Sequence, residues 1–179
     1  KNIKMKFFNL FKIPILALVF FTSCKATKNI SEKNKASYNK WYTNSNIYEV
    51  NLRQYTKEGT INAFAKHLPR LKDMGVEILW FMPITPIGLE GRKMTEKDMG
   101  SYYAVRNYTA FNEDYGTMND WKAFVKQAHS MGFKVITDWV ANHSAPDNHW
   151  IRSHPQFYEK DAAGNFAWSF DWSDTRNLN

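Results

Sequence analysis

The chain has 179 residues, of which 44% are hydrophobic, and it holds one cysteine. This composition excludes disordered and low-complexity classes, because such chains lack the apolar surface that offsets the entropy of ordering, and a single cysteine excludes a scaffold of internal disulfides. Residues 1–40 contain nine lysines and one glutamate, a net charge of +8, whereas the rest of the chain carries −1. The globular part therefore has no charge pattern that favours nucleic acid as a partner.

The beginning of the chain has the pattern of an export signal. Lys6 and Lys12 supply positive charge, and residues 13–21 form an apolar run that is too short to span about 30 Å of hydrocarbon as a helix. Residues 1–23 therefore predict a signal peptide. The small residues before Cys24 are similar to the end of a bacterial lipoprotein signal, in which the cysteine is lipidated; an ordinary secretory signal is the alternative.

Residues 24–40 predict a solvated tether, because they carry five lysines and no hydrophobic periodicity. Stable anchoring takes about two acyl chains, which a lipoprotein would carry on its cysteine. With Met5 as the expected start, the sequence predicts a protein of the bacterial cell envelope that is attached to the membrane through its lipid anchor. The globular domain is expected in residues 41–179.

The globular part predicts alternating strands and helices. Residues 46–53 are rich in β-branched and aromatic side chains and predict a first strand. Helical spacing of apolar residues follows Thr60, and we expect Pro69 to kink this helix and Gly75 to end it. Residues 76–84 are almost continuously apolar, which is typical of a strand buried on both faces of a parallel sheet.

The same order recurs 57 residues later in the chain. An amphipathic helix is predicted from Trp121 to Met131, with Gly132 closing it, and residues 133–140 predict a third strand. Two helix-to-strand connections with the same residue order predict an α/β fold in which parallel strands are linked by right-handed crossovers. After Asn142 no further clear helix or strand is predicted.

Polar side chains gather where the third predicted strand ends. Asp138, Asn142 and His143 lie within six residues, and strand alternation puts the first two on one face and His143 on the other, unless the strand bends. A carboxylate, an amide and an imidazole at this end of a strand can hydrogen-bond hydroxyls or hold a hard cation. The spacing alone equally allows an aspartate that caps loop amides and a surface histidine.

This strand end resembles the first short motif of the α-amylase family of glycoside hydrolases, an aspartate followed by Asn-His. Three other segments occur in the family's order. Residues 46–50 look like its first barrel strand, residues 71–83 like its first helix joined to its second strand, and residues 100–117 like the loop that carries a sugar-stacking tyrosine. The resemblance implies that residues 41–179 are an N-terminal fragment, about three βα units, of a TIM (β/α)8 barrel.

The resemblance also implies roles for individual residues. Tyr103 would be the platform under the sugar ring at the cleavage subsite, next to Tyr102, which stands where the family often has Gly or Pro. His143 would donate to a hydroxyl of the same sugar, and Asp138 would fix the surrounding loops. Asn142 would be a Ca²⁺ ligand through its amide oxygen, with the other ligands beyond the chain end.

The implied function is a retaining hydrolase of α-glucans such as starch and malto-oligosaccharides. In the family the nucleophile and the acid/base lie at the ends of the fourth and fifth strands, so we expect both beyond Asn179. A (β/α)8 barrel takes about 250 residues. This segment alone is therefore expected to be inactive, and also insoluble or molten, since three parallel strands leave two edges unpaired.

Alternatives remain open at this point. The family also contains α-glucan transglycosylases, and a glycan-binding surface lipoprotein without hydrolysis would keep the same platform. A doubly wound nucleotide-binding protein is weaker, because residues 54–59 offer one glycine where a phosphate loop needs several. The later aromatic residues could line a glycan cleft or pack a long loop onto the barrel, and we expect most of them to pack: Trp150, Phe157, Tyr158, Phe166, Trp168, Phe170 and Trp172. We expect the later aspartates to be solvated loop residues or turn formers: Asp147, Asp161, Asp171 and Asp174.

Overall fold

In the computed structural model, three short parallel strands form the central sheet in the order β1-β2-β3. They are β1 (Ile47–Val50), β2 (Ile78–Phe81) and β3 (Lys134–Thr137). The strands pair in register, with Ile47 opposite Ile78 and Ile78 opposite Lys134. Helices connect them, so the prediction of a parallel α/β architecture is confirmed.

The structure describes residues 41–92 and 99–179, so the predicted signal, the tether and Cys24 lie outside the described residues. Residues 45–179 form one compact unit. Its helices are α1 (Leu52–Tyr55), α2 (Ile61–Ala65), α3 (Leu68–Asp73), α4 (Met118–Ser130) and α5 (Trp150–Ser153), with 3₁₀ turns at Glu113–Tyr115 and Pro155–Phe157. In the described ranges, no helix is both long enough and apolar enough to cross a membrane.

The hydrophobic core lies between one face of the sheet and helices α2 to α4. Phe64 is fully buried at its centre, with its ring 5.4 Å from that of Phe81 and 5.7 Å from that of Phe124. Burying an aromatic side chain of this size contributes about 1.5–3 kcal/mol. Phe81 is the last residue of β2. This packing therefore fixes the end of β2, where the long loop after this strand begins.

The single kinked helix predicted after Thr60 is wrong in detail, because the chain forms two helices there. Pro69 lies in the first turn of α3, where its missing N–H removes no helical hydrogen bond. Thr60 caps α2 by accepting a bond from the Ala63 N–H. Gly75 follows α3 with φ of 81°, a left-handed conformation that suits glycine at a helix end.

All three strands are shorter than predicted, and β2 covers only Ile78–Phe81 of the predicted residues 76–84. The first ends at Val50, because Leu52 turns into the core and begins α1. The third ends at Thr137, so the two-residue alternation does not continue to Asn142. The chain leaves the sheet at Asp138, and His143 is therefore placed by this departure and not by strand alternation.

The expectation of no clear strand or helix after Asn142 is also wrong. A small antiparallel pair joins β4 (His143–Ser144) to β5 (Arg176–Asn177), and α5 lies in the connection. Two-residue strands and a one-turn helix have no periodicity that a sequence could show. This pair brings the end of the described chain back beside the end of β3.

Candidate functional site

The loop after β2 meets the end of β3 at the carboxyl edge of the sheet. Tyr103 lies in this loop, and its hydroxyl donates to Oδ2 of Asp138 at 3.1 Å. The indole N–H of Trp80, in β2, donates to Oδ1 of the same carboxylate at 2.6 Å. Burial raises the pKa of Tyr103, and the hydrogen bond to Asp138 and its charge raise it further. The phenol therefore stays a donor at neutral pH. Asp138 therefore fixes the orientation of the tyrosine.

The two adjacent tyrosines have different surroundings. The guanidinium of Arg53 lies 3.8 Å from the centre of the Tyr102 ring, and its Nε donates to the Tyr102 hydroxyl at 2.9 Å. That hydroxyl in turn donates to Asn51 at 2.9 Å. The ring of Tyr103, by contrast, is 39% exposed and lines a cavity. Of the two tyrosines, Tyr103 is the one that faces the cavity.

His143 is buried at the base of the same cavity. Its Nδ1 lies 3.0 Å from the side-chain nitrogen of Asn142, and the imidazole also hydrogen-bonds the backbone of Tyr103. Burial lowers the pKa of His143, while the charge of Asp174 and the contact with Tyr103 act in the opposite direction. The net effect is a neutral imidazole at neutral pH, held in one orientation.

The segment from Asp138 to His143 is supported by a tyrosine that the sequence did not single out. The hydroxyl of Tyr108 lies 2.8 Å from the carbonyl oxygen of Val140 and 2.7 Å from that of His143. Its ring stacks on Trp150 with the centroids 4.9 Å apart. Burial raises the pKa of Tyr108, so the hydroxyl stays protonated and can donate to this irregular segment.

The cavity has a volume of about 570 Å³ and joins the predicted site to the region before β5. Besides Tyr103 and His143, its lining includes Arg92, Gly100, Ser101, Asp171, Trp172, Asp174 and Thr175. Asp171 and Asp174 were expected only as loop residues or turn formers. Their place in the cavity follows from the β4–β5 pair, which the sequence pattern does not reveal.

Calcium binding at Asn142 stays a prediction. The Asn142 side chain is exposed, and its nitrogen faces His143. Within the described ranges, no three histidine, cysteine or acidic residues lie close enough together to hold a metal ion. Calcium takes six to eight oxygen ligands, which include backbone and amide carbonyls as well as carboxylates.

These features suit an uncharged ligand with many hydroxyl groups. An exposed aromatic face can contact the apolar C–H face of a sugar, while the edges of His143 and the carboxylates can hydrogen-bond its hydroxyls. Both oxygens of Asp138 are occupied by Trp80 and Tyr103, which suits a positioning role better than that of a nucleophile.

Comparison with known proteins shows the family of the chain. The profile described as "Alpha amylase, catalytic domain" matches residues 26–176. The chain is 32% identical over 142 residues to an alpha-1,4-glucan:maltose-1-phosphate maltosyltransferase of Chlorobaculum tepidum, covering 71% of this chain and 20% of that protein. It is 30% identical over 135 residues to alpha-amylase 3 of Dictyoglomus thermophilum, covering 72% and 25%.

Solved structures agree with these relatives. An alpha-amylase from Lactobacillus plantarum superposes with a TM-score of 0.72 at 41% identity, covering 76% of this chain and 32% of that one. A noncanonic maltogenic alpha-amylase from Thermotoga neapolitana gives a TM-score of 0.69 at 40% identity, with the same coverage. The chain thus spans about a fifth to a third of the length of these four relatives. The structural neighbours are TIM-barrel enzymes, and the chain belongs to the α-amylase family.

Proposed function

We propose that this chain forms the sugar-binding N-terminal part of the catalytic barrel of an exported, retaining α-glucan hydrolase. One observation carries the proposal: the ring of Tyr103 is exposed in a cavity beside a neutral, buried His143 and is held there by Asp138. Family membership supports starch and malto-oligosaccharides as the substrate class.

The first role that we assign is substrate positioning by Tyr103. A pyranose placed on its ring buries an apolar face and excludes water from one side of the sugar. Because the phenol is tethered to Asp138, and Asp138 to Trp80, little side-chain freedom is left to lose when sugar binds. Preorganisation of this kind favours binding in one orientation.

The second role is that of a hydrogen-bond donor. His143 lines the cavity and is neutral, so its ring carries a single N–H, and a hydroxyl of the sugar on Tyr103 would replace the Tyr103 backbone as the partner of that N–H. Hydrogen bonds to sugar hydroxyls that strengthen as the ring flattens lower the barrier to glycosidic cleavage. The contact of Nδ1 with the Asn142 side chain keeps the imidazole from rotating away.

The bond-breaking groups are assigned elsewhere in the barrel. A retaining glycosidase needs two carboxyl groups about 5–5.5 Å apart, one as nucleophile and one as acid/base. Asp138 is engaged by two donors, which leaves it as a positioning residue. We place the nucleophile and the acid/base on the fourth and fifth strands, which three βα units do not include.

A transferase is the second candidate, because the Chlorobaculum tepidum relative, 32% identical, is described as a maltosyltransferase acting with maltose 1-phosphate. Hydrolysis and transfer share the sugar platform and differ in the acceptor, water in one case and a sugar or phosphate in the other. Tyr103 and His143 would bind the donor sugar in both cases.

Export is part of the same proposal. Residues 1–23 would direct the chain across the membrane, and lipidation of Cys24 would anchor it at the cell envelope. Mass spectrometry of the protein purified from its native membranes tests this proposal. A mature N-terminus at Cys24 with attached acyl chains is expected, and a soluble product cleaved at another position would contradict it.

The function is tested with the full-length gene product and maltoheptaose. We expect release of products with the α-anomeric configuration, followed by proton NMR, and a fall in kcat/KM of about tenfold or more for Tyr103→Ala. Formation of maltose 1-phosphate from glucan and inorganic phosphate would instead favour the transferase. Glucan binding without any turnover would favour a binding lipoprotein.

A further inference from the structure

Phe170 occupies a position that neither core packing nor backbone preference explains. Its side chain is 84% exposed, and its φ of 53° is the one positive value of a non-glycine residue in the described ranges. A left-handed backbone is strained for a bulky L-residue, and glycine would fill the position without strain. Strained residues of this kind concentrate where a ligand is held.

The phenyl ring lies next to the cavity of the candidate site. Its centroid is 5.0 Å from that of Trp172, and Trp172 lines the cavity with its centroid 5.6 Å from that of His143. The rings of His143, Trp172 and Phe170 thus form a row with similar distances between neighbouring centroids, and exposure increases from His143 to Phe170. Trp172 is 40% exposed, so the two outer aromatic rings are accessible together.

The loop that carries these rings is fixed to the site. The N–H of Trp172 donates to the Ser169 carbonyl at 3.2 Å, and its own carbonyl accepts from the Thr175 N–H at 3.0 Å and hydroxyl at 2.9 Å. The next residues form β5, where Asn177 pairs with His143. The position of Phe170 is therefore set relative to the histidine by two consecutive turns and a strand pair.

We propose that Phe170 and Trp172 form an additional aromatic subsite for an α-glucan chain that has another glucose unit on Tyr103. This inference rests on the proposed function and goes further, because it requires a chain of several glucose units. The two exposed rings offer apolar faces to successive sugars, and Asp171, between them, lines the cavity where a carboxylate can accept from hydroxyls.

The test compares substrates of two lengths in the full-length gene product. We expect Phe170→Gly to lower the ratio of kcat/KM for maltoheptaose to that for maltotriose by at least fivefold, mainly through the KM of maltoheptaose. Phe170→Trp, which keeps an aromatic face, is expected to retain the ratio. Phe157→Leu is the matched control, since Phe157 is also exposed but its ring packs against Trp150 and His154, whereas the ring of Phe170 packs against Trp172.

Thermal unfolding distinguishes a ligand-binding role of Phe170 from a role in packing. Because glycine relieves the positive φ, Phe170→Gly is expected to leave the Tm unchanged or to raise it. A fall of several degrees, or an unchanged ratio in an active enzyme, would overturn the inference while leaving the proposed function intact. A wild type that neither binds nor cleaves any α-glucan would overturn both.

Discussion

The Tyr103 hydroxyl donates to Asp138 across 35 positions of sequence, joining the loop after β2 to the end of β3. Trp80 donates to the other oxygen of the same carboxylate. The orientation of the proposed sugar platform therefore depends on a side chain that need not touch sugar. This relationship explains how a tyrosine in a long irregular loop can be held ready for a ligand.

Replacing Asp138 should damage both stability and catalysis. Asp138→Ala removes the acceptor of two hydrogen bonds, and we expect it to lower the free energy of unfolding by about 1–3 kcal/mol and kcat/KM by at least tenfold. Asp138→Asn should be milder, because the amide oxygen can still accept from Trp80. Urea denaturation and maltoheptaose kinetics measure the two effects. If both variants matched the wild type, Asp138 would have no positioning role.

Variants of the two neighbouring tyrosines should have different effects, one mainly on stability and the other mainly on sugar binding. Tyr102→Phe removes the hydroxyl that joins Arg53 and Asn51, so we expect a loss of about 0.5–1.5 kcal/mol in stability and little change in the affinity for malto-oligosaccharide. Tyr103→Phe keeps the platform but frees it from Asp138, so we expect several-fold weaker binding. Calorimetric titration and thermal unfolding of both variants distinguish the roles. The reverse pattern would assign the platform to Tyr102.

The sequence predicted the architecture better than the site. The parallel order of β1, β2 and β3 follows from apolar runs and helical spacing, which are local signals. The contacts of Asp138 with Tyr103 and Trp80 join three separate segments, and no spacing in one sequence encodes such a meeting. Strand alternation put His143 on the face opposite Asp138 unless the strand bends, and the strand ends before either residue.

Local sequence signals also fail to predict which aromatic residues are exposed after Asn142. The expectation that most of the later aromatic residues pack is wrong. Tyr158 is 3% exposed and Trp150 stacks on Tyr108, but four others are 40–84% exposed: Phe157, Trp168, Phe170 and Trp172. Phe170 and Trp172 lie in the loop that precedes the two-residue strand β5. The sequence carries no periodic signal for strands of this length, so it could not tell these two rings from the packed ones.

The start of α4 should respond to acid. Hydrogen bonds from the side chain of Thr117, from Asn62 and from the Thr117 backbone hold the pKa of the exposed Asp120 at about 2, below its ordinary 3.8. A lowered pKa in the folded state means that this stabilisation is complete above about pH 4 and is lost as the pH falls toward 2. Asp120→Asn should lower the Tm at pH 7 and flatten its dependence over that range.

Asp73→Asn, at the exposed end of α3, is the control for this cap, and it should leave the acid dependence in place. Differential scanning calorimetry between pH 2 and pH 7 measures both variants. Equal Tm curves for the wild type and Asp120→Asn would show that the capping box of α4 contributes nothing.

Gly88 should not tolerate a side chain. A Cβ at this buried glycine would collide with the Cβ of Ala145 and lie 2.8 Å from Oδ1 of Asp147. We expect Gly88→Ala to cost about 1–3 kcal/mol through overpacking, with partial recovery in the double variant Gly88→Ala/Ala145→Gly. Gly75→Ala has open space, so its loss should come from the backbone alone and should gain nothing from Ala145→Gly. Chemical denaturation of all four variants tests this difference.

The most direct test of the account is a crystal structure of the full-length gene product with a sulfur-linked maltoheptaose that resists hydrolysis. We expect one glucose ring on the face of Tyr103 with a hydroxyl in hydrogen-bond contact with His143, and the chain continuing toward Trp172. A glucan bound elsewhere, with the Tyr103 cavity empty at saturating ligand, would contradict the assignment of this cavity to sugar.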